Sequence, residues 1–456
     1  MFEDTIAAIA TPLGEGGLAV IRVSGPAALQ VADRCFQPAG RTAPKPSQAP
    51  SHTLHYGHMV AGGRRLDEVM LAVMRSPRTF TREDVVEISC HGGVLPARLC
   101  LDALLAAGAR LAEPGEFTRR AFLNGRIDLA QAEAVADVIH SRTELALAAA
   151  AEQLAGHLSR RINGLRDDLL NLLAHVEAHL DFPDEDIAPD TRAALLQRLE
   201  RGLHLLDELL RTAPEGQILR RGIRAAIIGR PNGGKSSLLN QLLGHDRAIV
   251  SPVPGTTRDT IEETANIRGI PLIFVDTAGL RETADSLEAE GIRRSRAALA
   301  QAELILHVLD NSQPLATEDD KHLAEFAAKR RILVRNKCDL PARLVLPPGL
   351  DAPVVDTCCV TGQGISELKD AIKSLVWRGE VGAGMIQAMI NSRHQDALLR
   401  ARAGLERTAE VLRFSGQLEL AAMDLRLAVS AVGEIVGHTS TEDLLDAIFR
   451  QFCLGK

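Results

Sequence analysis

Apolar residues change their spacing three times along this chain, and each change predicts a different kind of element. In the first 118 residues they come as short β-branched runs, LAVIRVSG (18–25), DEVMLAVM (67–74) and DVVEIS (84–89), which predict strands. The Pro- and Gly-rich stretch QPAGRTAPKPSQAPS (37–51) reads as a loop, and VLPARLCLDALLAAGA (94–109) as an amphipathic helix ending near Gly108. From 119 the strand signal stops. Leu165, Leu169, Leu172, Leu173, Val176 and Leu180 recur at spacings of 3 and 4, a helical stripe, and a second helix (192–212) follows the breaker DFPDEDIAPD (181–190).

Between 216 and 379 the pattern changes again. RAAIIG (224–229), PLIFVD (271–276), ELILHVLD (303–310), RILVRNKCD (331–339) and PVVDTC (353–358) are apolar runs separated by helical segments. Continuous rather than alternating runs imply strands buried on both faces, hence a parallel sheet of βαβ units. After Trp377 the chain reads as helical to 450. The expected fold is multidomain, α+β and α/β. Residues 1–118 form an α+β module, 119–215 and 380–456 form two parts of one helical bundle, and 216–379 form an α/β domain inserted between them.

Composition narrows the function. The chain has 456 residues, 52 Lys plus Arg against 59 Asp plus Glu, and a net charge of −7. Apolar residues at 46% and charged residues at 24% exclude wholesale disorder, and aromatics at 3% argue against an RNA-binding sheet of stacked rings. Only 8 of the basic residues are lysine, so each lysine position is informative. Seven scattered cysteines without CxxC spacing fit a reducing compartment. The first residues lack a basic segment before an apolar core, and no apolar run of about 18 occurs, so a cytoplasmic protein without a membrane span is expected.

Four motifs carry chemistry. Gly229-Arg-Pro-Asn232-Gly233-Gly234-Lys235-Ser236 matches G-x4-G-K-[ST] between an apolar strand and the helical Ser237-Leu-Leu-Asn, the context that defines a P-loop. Its backbone N–H groups would cradle phosphates, with Lys235 on the β/γ oxygens and Ser236 on Mg²⁺. Asn336-Lys337-Cys-Asp339 ends another strand, and Asp339 would accept from guanine N1–H and the 2-amino group, which adenine does not offer. Asp276-Thr-Ala-Gly279 would reach Mg²⁺ through water and sense the γ-phosphate through the Gly279 amide. Gly255-Thr256-Thr257-Arg258-Asp259 lies where a switch threonine completes the Mg²⁺ shell. All four in order read as a Mg²⁺-dependent GTPase. Leu280 follows the third motif where Ras-type enzymes carry a water-orienting Gln, which leaves Glu282, Asp285 and Glu288 as candidates for that task. His175-Val-Glu177-Ala-His179 and His52, His55 and His58 read as polar surface rather than metal sites. His91-Gly-Gly could shape a ligand loop or a plain turn.

Beyond these motifs, DTIAAIATPLGEGGLAVIRVSG, FTREDVVEISCHGG (80–93), EPGEFTRRAFLNGRIDLAQAEAVADVI (113–139), DFPDED (181–186) and the closing Cys453-Leu-Gly-Lys456 are similar to the tRNA-modification GTPase MnmE (TrmE) family over essentially the whole chain. The resemblance implies an N-terminal tetrahydrofolate-binding and dimerisation domain, a discontinuous helical domain and an inserted Ras-like G domain. It implies a K⁺ site at Asn232, Ser251, Val253 and Thr256, Mg²⁺ held by Ser236 and Thr257, and Glu288 as the catalytic glutamate. Nucleotide contacts would also involve Ser237 and Cys358-Cys359-Val360. A folate such as 5-formyl-tetrahydrofolate would meet Arg22, Glu87, Arg126 and Lys456, and Cys453 and Arg258 are possible functional positions. A chain that ends on its own motif suggests that the terminus is used; for Cys453 a buried bundle thiol is an equal expectation.

The family acts on C5 of wobble uridine 34 of certain tRNAs, as a homodimer joined with the FAD-dependent MnmG in a heterotetramer. This chain departs from the family pattern at Arg82 (usually Gly), Arg126 (commonly Lys), Gly233 (usually Ala) and Cys358-Cys359-Val360 (SAK or SAR). A ribosome-assembly GTPase of the Era/EngA type and a pure nucleotide-dependent binding switch are the rival readings.

Overall fold

The short β-branched runs of the first 118 residues form strands, and in the computed structural model they build a seven-stranded sheet with apolar residues buried on both of its faces. The structure describes residues 3–40, 43–181, 192–244, 263–275, 299–377, 386–387, 389–414 and 417–456. The sheet comprises β1 (Ile6–Ile9), β2 (Leu18–Ser24), β3 (Phe36–Pro38), β4 (Thr53–Ala61), β5 (Arg64–Met74), β6 (Val85–His91) and β7 (Arg110–Leu111), in the order β3-β4-β5-β6-β2-β1-β7. Its pairings are antiparallel except β1 with β7. The residues Ile21, Val23, Leu71, Val73, Val86 and Ile88 form one core with the helices Ala28–Cys35 and Val94–Ala106. On the other face Ile6, Ala8 and Ala112 bury Phe117 of the helix Glu116–Leu123.

The chain divides into two units, of which residues 1–136, 154–190 and 407–456 form the first. In it the predicted stripe Leu165, Leu169, Leu172, Leu173 and Val176 is buried on the helix His157–Asp181, which packs along the helix Leu418–Val436. Arg120 is fully buried beneath the sheet, a placement that hydrophobic spacing does not anticipate. Its guanidinium donates to Asp4 Oδ1 (2.7 Å), Glu116 Oε1 (2.9 Å), Glu83 Oε1 (3.2 Å) and the Asp4 carbonyl (3.1 Å). Burial raises the carboxyls of Asp4 and Glu116, but Arg110 and Arg120 outweigh it and hold both below their ordinary values. That stabilisation is present above about pH 4 and is lost as pH falls through the lowered native values. An ammonium cannot reproduce the fork, so Arg120→Lys should cost about 2 kcal/mol of unfolding free energy in urea titrations.

The second unit, residues 137–153 and 191–406, contains a six-stranded sheet. Its strands are β8 (Ile223–Ile228), β9 (Glu263–Ile267), β10 (Ile270–Phe274), β11 (Leu304–Asp310), β12 (Arg331–Asn336) and β13 (Val354–Thr357), in the order β13-β12-β11-β8-β10-β9. All pairings are parallel except the β9–β10 hairpin. Strand β9 has no apolar run, and its turn uses Arg268 and Gly269 with φ of 53° and 93°, the doubly positive geometry of a two-residue hairpin. The arrangement is the Ras-like P-loop domain, inserted in chain order between helical segments. Among the described residues no helix is long and apolar enough to cross a membrane.

Candidate functional site

Strand β8 delivers the chain to a loop that only unusual backbone can make. Gly229 and Gly234 have φ of 140° and 101°, and Asn232 stands at 61°. A Cβ on Gly229 would lie 2.2 Å from the Val308 carbonyl, and one on Gly234 would lie 2.0 Å from Asn336 Nδ2. The loop closes onto the helix Lys235–Leu243, with Gly234 as its N-cap. The first-turn amides of such a helix point outward as anion donors. Ser236 and Ser237 are exposed in that first turn. The ammonium of Lys235 folds back on the loop and donates to the carbonyls of Gly229 (2.8 Å) and Arg230 (2.9 Å). Burial holds its pKa below that of an ordinary lysine.

Asn336, buried at the end of β12, joins this loop to a second one. Its Nδ2 donates to the Gly233 carbonyl (3.0 Å), while its Oδ1 accepts from the Cys359 amide (3.2 Å). Lys337, at φ 64°, donates to Asp310 Oδ2 at 2.6 Å and so ties the ends of β12 and β11. Burial opposes ionisation of Asp310, but Lys337 and Ser312 hold its carboxyl below the usual range. Asp339 follows on the exposed side of the same turn. In the second loop Cys358 and Cys359 are buried and Val360 is exposed. Burial pushes the Cys359 thiol up to about 11. That loop therefore offers backbone rather than cysteine side chains to its surroundings. Gln241 Nε2 donates to the Cys359 carbonyl (2.8 Å), bracing it from the phosphate-loop helix. Sequence reasoning missed Gln241 and Asp310; the signal for Asp310 is its register opposite Asn336 in the β11–β12 ladder. Ser251, Val253, Thr256, Thr257, Arg258, Asp276, Gly279, Glu282, Asp285 and Glu288 lie outside the described residues.

The first unit brings together a second charged group, on the face of its sheet opposite the two packed helices. Arg22 on β2 and Glu87 on β6 are register partners, and Arg22 Nε donates to Glu87 Oε1 at 2.8 Å. Arg22 also donates to the Gly455 carbonyl (3.3 Å) and stacks over Phe117, 5.6 Å from its centroid. The closing segment is seated by backbone bonds, Gly115 N to the Cys453 carbonyl and Phe117 N to the Lys456 carbonyl. Gly455 has φ 88°, and a Cβ there would lie 2.5 Å from the Ile9 carbonyl. Burial, then the nearby Arg22, hold the Lys456 ammonium below the ordinary lysine range. Arg126 stacks over Phe80 at 5.2 Å, and Phe80 packs on the cluster containing Phe117. Arg22, Glu87 and the half-buried Lys456 thus converge on one patch. The thiol of Cys453 is exposed, which overturns the buried bundle position. Arg82 stands at φ 58°, left-handed backbone that favours glycine, and donates to the Asn124 carbonyl (3.0 Å).

The histidines take ordinary roles. His175 bonds the Asn171 carbonyl one turn back, His52 the Ser51 hydroxyl and His55 that of Thr53. His91 bonds Asp67.

Two family models and full-length relatives match this chain. The family model described as "GTP-binding protein TrmE N-terminus" matches residues 5–126, and that described as "MnmE helical domain" matches 129–453. The chain is 48% identical over 461 residues to the tRNA modification GTPase MnmE of Geobacillus kaustophilus, covering 99% of each. It is 49% identical over 462 residues to that of Chloroflexus aurantiacus, covering 100% of each. Among solved structures it is similar to the G domain of the T. maritima FeoB iron transporter, with 30% identity over 34% of this chain and 98% of that one, at a TM-score of 0.26. Full-length identity of this size sets aside the Era/EngA reading. The chain belongs to the MnmE family of tRNA modification GTPases.

Proposed function

We propose that this chain hydrolyses GTP in a K⁺-dependent cycle and uses it to drive aminomethyl or carboxymethylaminomethyl addition at C5 of wobble uridine 34 in certain tRNAs. The reading includes a homodimer that works with the FAD-dependent MnmG in the cytoplasm. It also keeps domain limits at 118, 215 and 379. The observation that carries the GTP half is the Asn336 staple, which holds the phosphate loop and the guanine-motif loop at fixed separation.

Among the described residues, the glycine loop and the charged patch of the first unit support this reading, while Ser251, Val253, Thr256, Thr257 and Glu288 lie outside them. A glycine cradle that any Cβ would fill, above a helix N-terminus, suits a polyphosphate. Mg²⁺ at Ser236 and Thr257, and K⁺ at Asn232, Ser251, Val253 and Thr256, would supply positive charge to the phosphate oxygens. Lys235 would leave the carbonyls of Gly229 and Arg230 for those oxygens, so its present bonds stand in for substrate. Asp339 reads the base, and Glu288 orients the attacking water. In the N-terminal unit, Arg22, Arg126 and Lys456 offer cations to the glutamate tail of a tetrahydrofolate, and Glu87 accepts from the N–H groups of its pterin.

Steady-state turnover tests the mechanism. GTP hydrolysis should run at least about tenfold faster in K⁺ than in Na⁺, as expected where a cation stabilises the transition state. Equal rates would remove the potassium mechanism. Glu288→Ala should lower kcat about 100-fold while leaving GTP affinity unchanged, the pattern of a residue that acts on water. Nucleoside analysis of tRNA from cells lacking the protein tests the remaining half, and normal wobble uridines there would refute it.

A further inference from the structure

The inner face of β5 is a row of alternate residues, Asp67, Val69, Leu71 and Val73, and the last three lie in the core beneath the two packed helices. The register that buries the valines and leucine sends Asp67 toward the same layer, where its side chain is only 11% exposed. Two thiols meet it there. Cys90 comes from β6 and Cys100 from the helix Val94–Ala106, and both are buried. The two sulfurs and a carboxylate oxygen all lie within 4.8 Å of one another. The carboxylate is held in place by His91, whose Nδ1 bonds Oδ1 (2.7 Å) and whose amide donates to Oδ2 (2.8 Å). The Glu68 amide adds a bond to Oδ1, so Oδ2 has a single donor. The neighbouring thiol of Cys35 is engaged elsewhere, donating to the Ala103 carbonyl at 3.2 Å.

We infer that Asp67, Cys90 and Cys100 bind one thiophilic divalent cation of the zinc type. Two sulfurs and one carboxylate oxygen form a borderline-soft donor set that suits zinc and leaves a fourth tetrahedral position for water. With metal–ligand bonds of about 2.0–2.3 Å, such donors stand about 3.5–3.8 Å apart, so a triangle whose sides do not exceed 4.8 Å contracts by about 1 Å at most. All three ligands sit on a strand or helix, and His91 orients the carboxylate as outer partners do in metal sites. The exposed His91 side marks the way in. Each thiol gives its proton to solvent as its metal–sulfur bond forms, so two protons leave per ion bound. The ion would pin the helix Val94–Ala106 to β6.

The test uses the full chain, freed of metal with a chelator, kept reduced and titrated with Co²⁺ alone. A sulfur-to-cobalt charge-transfer band should grow and saturate at one equivalent, and Zn²⁺ should bleach it. The band should be missing from the Cys90→Ala/Cys100→Ala double variant. Asp67→Asn should bind Co²⁺ at least about tenfold more weakly. No band, the same band in the double variant, or unchanged affinity in Asp67→Asn would each overturn the site. If circular dichroism shows that the double variant does not fold, Asp67→Asn decides. A Cys90–Cys100 disulfide found by non-reducing peptide mapping, with no Co²⁺ uptake by the reduced chain, would replace the metal site with an oxidisable pair.

Discussion

Asp339→Asn should exchange guanine for xanthine as the preferred base. A carboxylate accepts from both N1–H and the 2-amino group, two charge-assisted bonds worth about 1.5–3 kcal/mol each. An amide keeps one acceptor and turns a donor toward the amino group, so both bonds are compromised and two donors face each other. GTP affinity should fall about 1,000-fold. Xanthine carries a carbonyl where guanine has the amino group, and the new donor matches it. The GTP-to-XTP preference should therefore change by about 10⁴, read by competition against a fluorescent nucleotide. Asp339 is exposed beyond the end of β12, so the fold and the Asn336 staple should persist. Unaltered selectivity would show that the base is read elsewhere.

Gly234→Ala should nearly abolish nucleotide binding of either kind. The residue stands at φ 101°, and the added carbon would lie 2.0 Å from Asn336 Nδ2. Left-handed strain costs about 1–2 kcal/mol. Moving Asn336 away breaks its bonds to Gly233 and Cys359, which leaves buried polar groups unmet at about 1–3 kcal/mol each. Together these reach about 4–5 kcal/mol, or roughly 1,000-fold in affinity. Calorimetric titration with GDP measures it, and affinity within tenfold of the parent would count against the staple. Unlike Asp339→Asn, this change should spare no base, because it acts on the phosphate loop.

The contrast between these two positions marks what was legible in the sequence. Strands β8, β10, β11 and β12 announce themselves because buried strands are continuous apolar runs, whereas β13, also an apolar run, is an edge strand with Val354 and Asp356 exposed. The P-loop is legible because its chemistry is contiguous, with strand, glycines, lysine and helix in order. Contacts made by register are not legible. Asp310 meets Lys337 only because β11 and β12 pair residue by residue, across 27 positions of chain. Asn336 reaches Gly233 across 103. Strand β9 escapes because a polar edge strand with an Arg-Gly turn lacks the usual hairpin signal. Arg120 and Asp67 escape for the opposite reason: charge argues for the surface, and only the assembled partners make burial tolerable.

The double duty of Asn336 bears on how this site can diversify. Its side chain is shared between the Gly229–Ser236 loop and the Cys358–Val360 loop, so a shift of either strains its bond to the other. On the proposed reading, variation in base preference is left with Asp339, one turn outside the shared bond. A change at Asp339 would leave the Asn336 bonds in place, whereas a change at Asn336 would break both of them. The loop residues Cys358-Cys359-Val360 show the same freedom from the other side: what matters there is an amide at a fixed place, and chemically unlike side chains can supply it.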